Sequence, residues 1–162
     1  RGGLIVVTLT YEQALGLVGA VVPNHLAAEV AVPILTGVQA QGDLLVIPIE
    51  PADPGESVDP GAWRPVPAQG VQLIWSEATG NTHWLHQDQG CHGVRWAQPE
   101  PMVWRDEDDP DLRLAYVSVP SGQAALLIHT EEHGANGIGP GTYVIHRKRE
   151  ADPQSVQRLL AD

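Results

Sequence analysis

Five of the seven histidines fall in two short stretches: His83, His86 and His92 in one, His129 and His133 in the other. The second stretch carries the most chemistry. Leu126-Leu127-Ile128-His129-Thr130-Glu131-Glu132-His133-Gly134 is an apolar run that delivers a histidine, two carboxylates and a second histidine. Such a set suits three chemistries. Neutral imidazoles with a carboxylate (His83, His129, His133 and Glu132) are suitable ligands for a divalent transition metal. Two histidines with separated pKa values form a general acid–base pair, which puts His129, His133 and Glu132 forward as candidate catalytic residues. Imidazoles flanked by polar and aromatic groups also bind anionic or planar ligands, and Asn81, Trp84 and Tyr143 are the candidates for that contact. Against all three stands a structural role, in which the histidines bond to backbone groups and shape a turn.

The elements around these residues read as short strands. In a strand, alternate residues share a face, so Ala125, Leu127 and His129 point one way and Ala124, Leu126 and Ile128 the other. If the face bearing Leu127 is the core, His129 sits where that core meets the strand end. Thr82–His86 is a short strand after the turn-like Ser76–Asn81. Further strands are expected at Leu4–Leu9, Asp43–Ile49, Val71–Trp75, Val94–Trp96, Met102–Trp104, Leu112–Val119 and Thr142–Lys148. Residues 50–70 hold five prolines and read as a surface loop. Arg105–Asp111 is acidic and reads as a solvated loop without the spacing of a calcium site.

Helical signals are confined to the ends. Thr10-x-x-Gln13 has the form of a capping box, with Tyr11, Ala14, Leu15 and Val18 following at helical spacing. A second short helix is expected from His25 to Val32, and Asp152-Pro153 reads as the start of a short amphipathic C-terminal helix. The expected architecture is mostly β: a small antiparallel β-barrel or compact sandwich in a single domain, 1–162. It comprises an N-terminal helical arm or cap (1–37), a β-barrel (41–149) and a C-terminal helix (152–162). A βαβ alternation is absent, which argues against a parallel sheet.

Composition narrows the function classes. Apolar residues make up 43% of 162 residues, enough for one sizeable core. The formal charge of −11 disfavours a nucleic-acid partner, since such binding rests on neutralising phosphates. The one basic cluster, His146-Arg147-Lys148-Arg149, reads as a solvated strand end that could make a local anion site. A single cysteine, Cys91, excludes an internal disulfide and fits a reducing, cytoplasmic setting. The apolar run Leu4–Leu9 is too short for a membrane span. The partner, small molecule or protein, is left unnamed by the residues, and an oligomer is compatible with them.

Several familiar patterns fail. A cupin places two histidines one residue apart, and Asn81 stands where the earlier one would fall. The H-x-T/S pair of two-histidine phosphoesterases is absent. Four blocks do occur in an order that resembles a widespread family of small uncharacterised bacterial β-barrel proteins. They are Gly42-Asp43-Leu44-Leu45-Val46-Ile47-Pro48, Glu77-Ala78-Thr79-Gly80-Asn81-Thr82-His83, His129-Thr130-Glu131-Glu132-His133, and Pro140-Gly141-Thr142-Tyr143-Val144-Ile145-His146-Arg147-Lys148-Arg149-Glu150. The resemblance covers about residues 40–155. It implies a cytoplasmic β-rich domain whose recurring polar positions are His83, His129, Glu132 and His133, with Asn81 where the family carries a further histidine and Ala151 where it carries a tyrosine. The resemblance brings no activity with it. The function expected from these observations is a histidine-lined cleft that binds a metal or an anionic small ligand, with hydrolysis as an extension. The alternative is a non-catalytic adaptor that uses the helical arm and tryptophan-bearing loops.

Overall fold

The computed structural model describes residues 9–19, 31–50, 58–75, 82–100, 112–130 and 134–148. Its elements are a helix α1 (Tyr11–Gly16) and eleven strands: β1 (Ile34–Leu35), β2 (Gln39–Gln41), β3 (Leu44–Pro48), β4 (Arg64–Pro65), β5 (Val71–Trp75), β6 (Thr82–Gln87), β7 (Arg95–Ala97), β8 (Arg113–Val119), β9 (Ala125–His129), β10 (Gly134–Ile138) and β11 (Gly141–Arg147). They form two sheets. The five-stranded sheet runs β1-β10-β9-β6-β5, and the six-stranded sheet runs β2-β3-β11-β8-β7-β4. Among the described residues no strand joins the two, so of the barrel or compact sandwich expected from the sequence the barrel is not closed, and the arrangement is sandwich-like. Pairing is antiparallel except between β1 and β10, which run parallel.

The core lies between the sheets. Leu44, Val46, Val117, Tyr143 and Ile145 from the six-stranded sheet meet Leu85, Ala125, Leu127 and Ile138 from the other. Every residue of β9 is buried, because its second face is covered too. Leu126 and Ile128 pack under Ala14 and Leu15 of α1, with Leu9 and Val32. Coverage of both faces explains why β9 reads as an unbroken apolar run rather than an alternation. The Thr10 capping box forms: the Thr10 side chain accepts from the Gln13 amide, and the Gln13 side chain accepts from the Thr10 amide. A third cluster lies on the outer face of the six-stranded sheet, where Trp63 and Ile47 cover Ala97, Tyr116 and Val144.

Within residues 1–37, where the sequence suggests a helical cap, the described part is α1 followed from Ile34 by a strand. β10 is the larger departure. Gly134–Ile138 reads as a glycine-rich turn, yet it pairs along its whole length with β9. Gly137 is what admits β1: a Cβ there would lie 2.5 Å from the Pro33 carbonyl oxygen, to which the Gly137 amide donates at 3.0 Å. The expected strand at residues 4–9 (apart from Leu9), the bulk of the second helix, Met102–Trp104, the acidic loop and the C-terminal helix lie outside the described residues. Among the described residues no helix is long and apolar enough to cross a membrane.

Two turn glycines separate packing from backbone strain. Gly70 has φ +82 and lies against the His86 ring, which a methyl group there would overlap; Gly90 has φ +77 with nothing within 4 Å. Both alanine variants carry the left-handed penalty of about 1–2 kcal/mol, and only Gly70→Ala adds the cost of displacing a buried ring. Urea denaturation should therefore show Gly70→Ala destabilised by about 1–3 kcal/mol more than Gly90→Ala.

Candidate functional site

Two cross-strand rows face each other at one end of the sandwich. In the five-stranded sheet His83 of β6 is paired with His129 of β9, and His129 with Gly134 of β10. In the six-stranded sheet Gln41 of β2 is paired with Leu44 of β3, and Leu44 with Arg147 of β11. Directly paired residues present their side chains on the same face. The next row inward is Leu85, Leu127 and Asn136 on one side and Gln39, Val46 and Ile145 on the other. The histidines thus stand one row out from the apolar core, on the face that carries Leu127.

Direct pairing brings the two imidazoles into a face-to-face stack, with ring centroids 4.1 Å apart and planes 8° from parallel. Both are buried, His83 at 1% exposure and His129 at 3%. A chain of amides reaches His83. The ring nitrogen Nδ1 of His83 lies 3.1 Å from Gln41 Oε1. Gln41 Nε2 donates to the Leu127 carbonyl at 2.7 Å and to Asn136 Oδ1 at 2.7 Å. Asn136 Nδ2 donates to Gln39 Oε1 at 3.1 Å and to the Ala40 carbonyl at 3.3 Å. Gln39 Nε2 donates to the Gly137 carbonyl at 3.0 Å.

Burial, then the neighbouring His129 and Arg147, push the His83 pKa down to about 4, so this imidazole is neutral near pH 7. Desolvation acts the same way on His86, whose pKa is lowered, and raises that of the buried Asp88 carboxyl.

The structure brings His83 and His129 together and places other candidates elsewhere. Trp84 is half-buried and pairs with Ile128, on the opposite face of the sheet from His83. It lies beside His86, whose ring packs under Gly70. Tyr143 is buried in the core, and its hydroxyl donates toward the Gly139 and Pro140 carbonyls. His92 is exposed. Asn81, Glu132 and His133 lie outside the described residues. Among the described residues no group of three or more histidine, cysteine, aspartate or glutamate side chains could hold a metal ion. The sequence reading passed over Gln39, Gln41 and Asn136. The Gln-x-Gln spacing before the Gly42 turn was a usable signal, because it sets two amides on one face of a strand. Asn136 had no signal, since its segment does not read as a strand.

These features define a two-sheet β-sandwich with a buried histidine pair and an amide chain at one end of its core. Residues 40–148 match the family described as "Domain of unknown function (DUF8820)", and the chain belongs to that family. The matched segment contains both histidines, Gln41, Asn136 and Arg147, while α1 and β1 precede it. This agrees with the resemblance to an uncharacterised family seen in the sequence. None of the curated proteins and none of the solved structures matches the chain.

The lowered His83 pKa has a signed consequence. Between about pH 4 and 6.5 the unfolded chain holds a proton on this residue and the folded chain does not. Stability therefore rises with pH across that window. His86 acts in the same direction, and Asp88, whose carboxyl pKa is raised, in the opposite one. Comparison with His83→Gln isolates the term. The stability advantage of the wild type over the variant should shrink as pH falls from about 6.5 to 4, measured by urea denaturation at each pH. A constant gap would contradict a neutral buried His83.

Proposed function

We propose that the protein is a small-ligand-binding domain whose ligand is an anion, taken up at the sandwich end that carries His83, His129 and Arg147. One observation carries this reading. A buried His83 has His129 stacked on it at 4.1 Å and Arg147 in the facing row, and both basic groups disfavour its charged form. An anion supplies the missing counter-charge. It would favour the imidazolium, so binding takes up a proton.

A metal is the weaker fit. In a tetrahedral site two imidazoles aim their lone pairs at one point, with axes converging at about 109°. Rings stacked 8° from parallel aim theirs alongside one another, and the positive charge of Arg147 already bears on His83. Hydrolysis is not part of the proposal, because an imidazole with a pKa of about 4 is a weak general base at neutral pH. The adaptor reading has less behind it: Leu17 and Leu35 are exposed large apolar residues, and scattered single residues of this kind are ordinary on a soluble surface.

Sulfate keeps its charge between about pH 5 and 8 and is a suitable probe. Calorimetric titration of the wild type should give an affinity that strengthens as pH is lowered from about 7 to 5, by up to about tenfold per unit, or 1.4 kcal/mol. His83→Gln should abolish that pH dependence, and Arg147→Gln should weaken binding about tenfold at every pH. Sulfate affinity independent of pH, or zinc binding that shifts the NMR signals of both histidines together, would overturn the proposal.

A further inference from the structure

The amide chain has a direction, and the direction reaches His83. Gln39 is fixed by the Gly137 carbonyl, which accepts only from the NH2 end of its side chain. Its Oε1 must then be the acceptor for Asn136 Nδ2, and the Ala40 carbonyl independently demands the same orientation of Asn136. That leaves Asn136 Oδ1 to accept from Gln41 Nε2, and the Leu127 carbonyl again demands the same orientation of Gln41. Turning any one of the three amides over would set oxygen against oxygen at 2.7 to 3.3 Å in a buried site. The free end of the chain is therefore Gln41 Oε1, an acceptor, 3.1 Å from His83 Nδ1.

We infer that Gln39, Asn136 and Gln41 are positioning residues that hold His83 in a single tautomer, with the proton on Nδ1 and the lone pair on Nε2. A neutral imidazole carries one N–H, and the acceptor at Gln41 assigns it. The inference rests on, and deepens, the anion reading given above. With Nδ1 occupied, a proton taken up on binding goes to Nε2, and the new Nε2–H is the donor that meets the anion. The assignment in turn depends on backbone carbonyls of three strands, β2, β9 and β10. The amides are buried or half-buried, with Gln39 and Gln41 each 5% exposed, so water competes little for these bonds.

The test is read on sulfate-free protein and so is independent of anion binding. Protein carrying 15N-labelled histidine gives two-bond correlations that distinguish a protonated from a bare ring nitrogen. At about pH 7, where His83 is neutral, the wild type should show Nδ1 protonated and Nε2 bare. Gln41→Met removes the acceptor and should shift His83 toward the Nε2–H tautomer. A wild-type His83 protonated on Nε2 would overturn the inference, as would an unchanged tautomer in a folded Gln41→Met variant. If Gln41→Met does not fold, the wild-type spectrum decides. A tautomer as inferred together with pH-independent sulfate binding would retain the relay and reject the anion.

Discussion

Polar groups lodged between two sheets must find partners there, and that requirement shapes this end of the molecule. Each buried amide or imidazole left unpaired would cost about 1–3 kcal/mol. Gln39 and Gln41 project from the six-stranded sheet and find their partners on the other sheet: the Leu127 and Gly137 carbonyls and the Asn136 side chain. The contacts of the apolar core tolerate small sliding of one sheet over the other. These bonds do not, because each has a short range and a direction. The same set of bonds thus closes one end of the sandwich, sets the register between the sheets and orients His83.

The glycines of β10 belong to the same argument. β10 supplies Asn136 to the amide chain and takes β1 along its other edge. A side chain at Gly137 would meet the Pro33 carbonyl oxygen, and one at Gly139 would meet Thr36. Sparse side chains let the chain from Val32 to Leu35 lie against the strand, and they bring Leu9 and α1 over the outer face of β9. A segment with weak intrinsic strand preference is held as a strand by neighbours on both edges, which is how tertiary context overrides propensity.

This explains which parts of the molecule were legible in the sequence. Strands whose own residues carry the signal were found to within a residue or two: β5, β6, β8 and β11 are β-branched, aromatic or alternating, and β9 is a short unbroken apolar run. The capping box at Thr10 was legible because its two partners are three residues apart. What was missed depends on distant partners. β10 and β1 are strands because of each other and β9, and whether two sheets close into a barrel depends on pairing between distant edges, which no local pattern encodes. At the site, His83 and His129 were legible as types, and alternation put His129 on the core-facing side. Their stacking, and the amides that address them from 42 and more residues away, were not.

A chain of net charge −11 is compatible with the anion proposed for this end of the sandwich. Charges on a protein surface are screened over about 8 Å at physiological salt, so the net charge acts weakly on a ligand already at the site. What it meets there is local. Arg147 lies on β11 in the row of Leu44 and Gln41, opposite a pair of imidazoles, and its effect is felt at His83. Two imidazoles 4.1 Å apart cannot readily both be charged. His83 is therefore neutral near pH 7, and on the proposed reading an anion supplies the counter-charge that would let it take up a proton. A permanent cation cluster would attract every anion at all pH values. On the proposed reading, a buried His83 that charges only on contact would answer instead to ligands able to accept a hydrogen bond from the ring nitrogen that Gln41 leaves unoccupied.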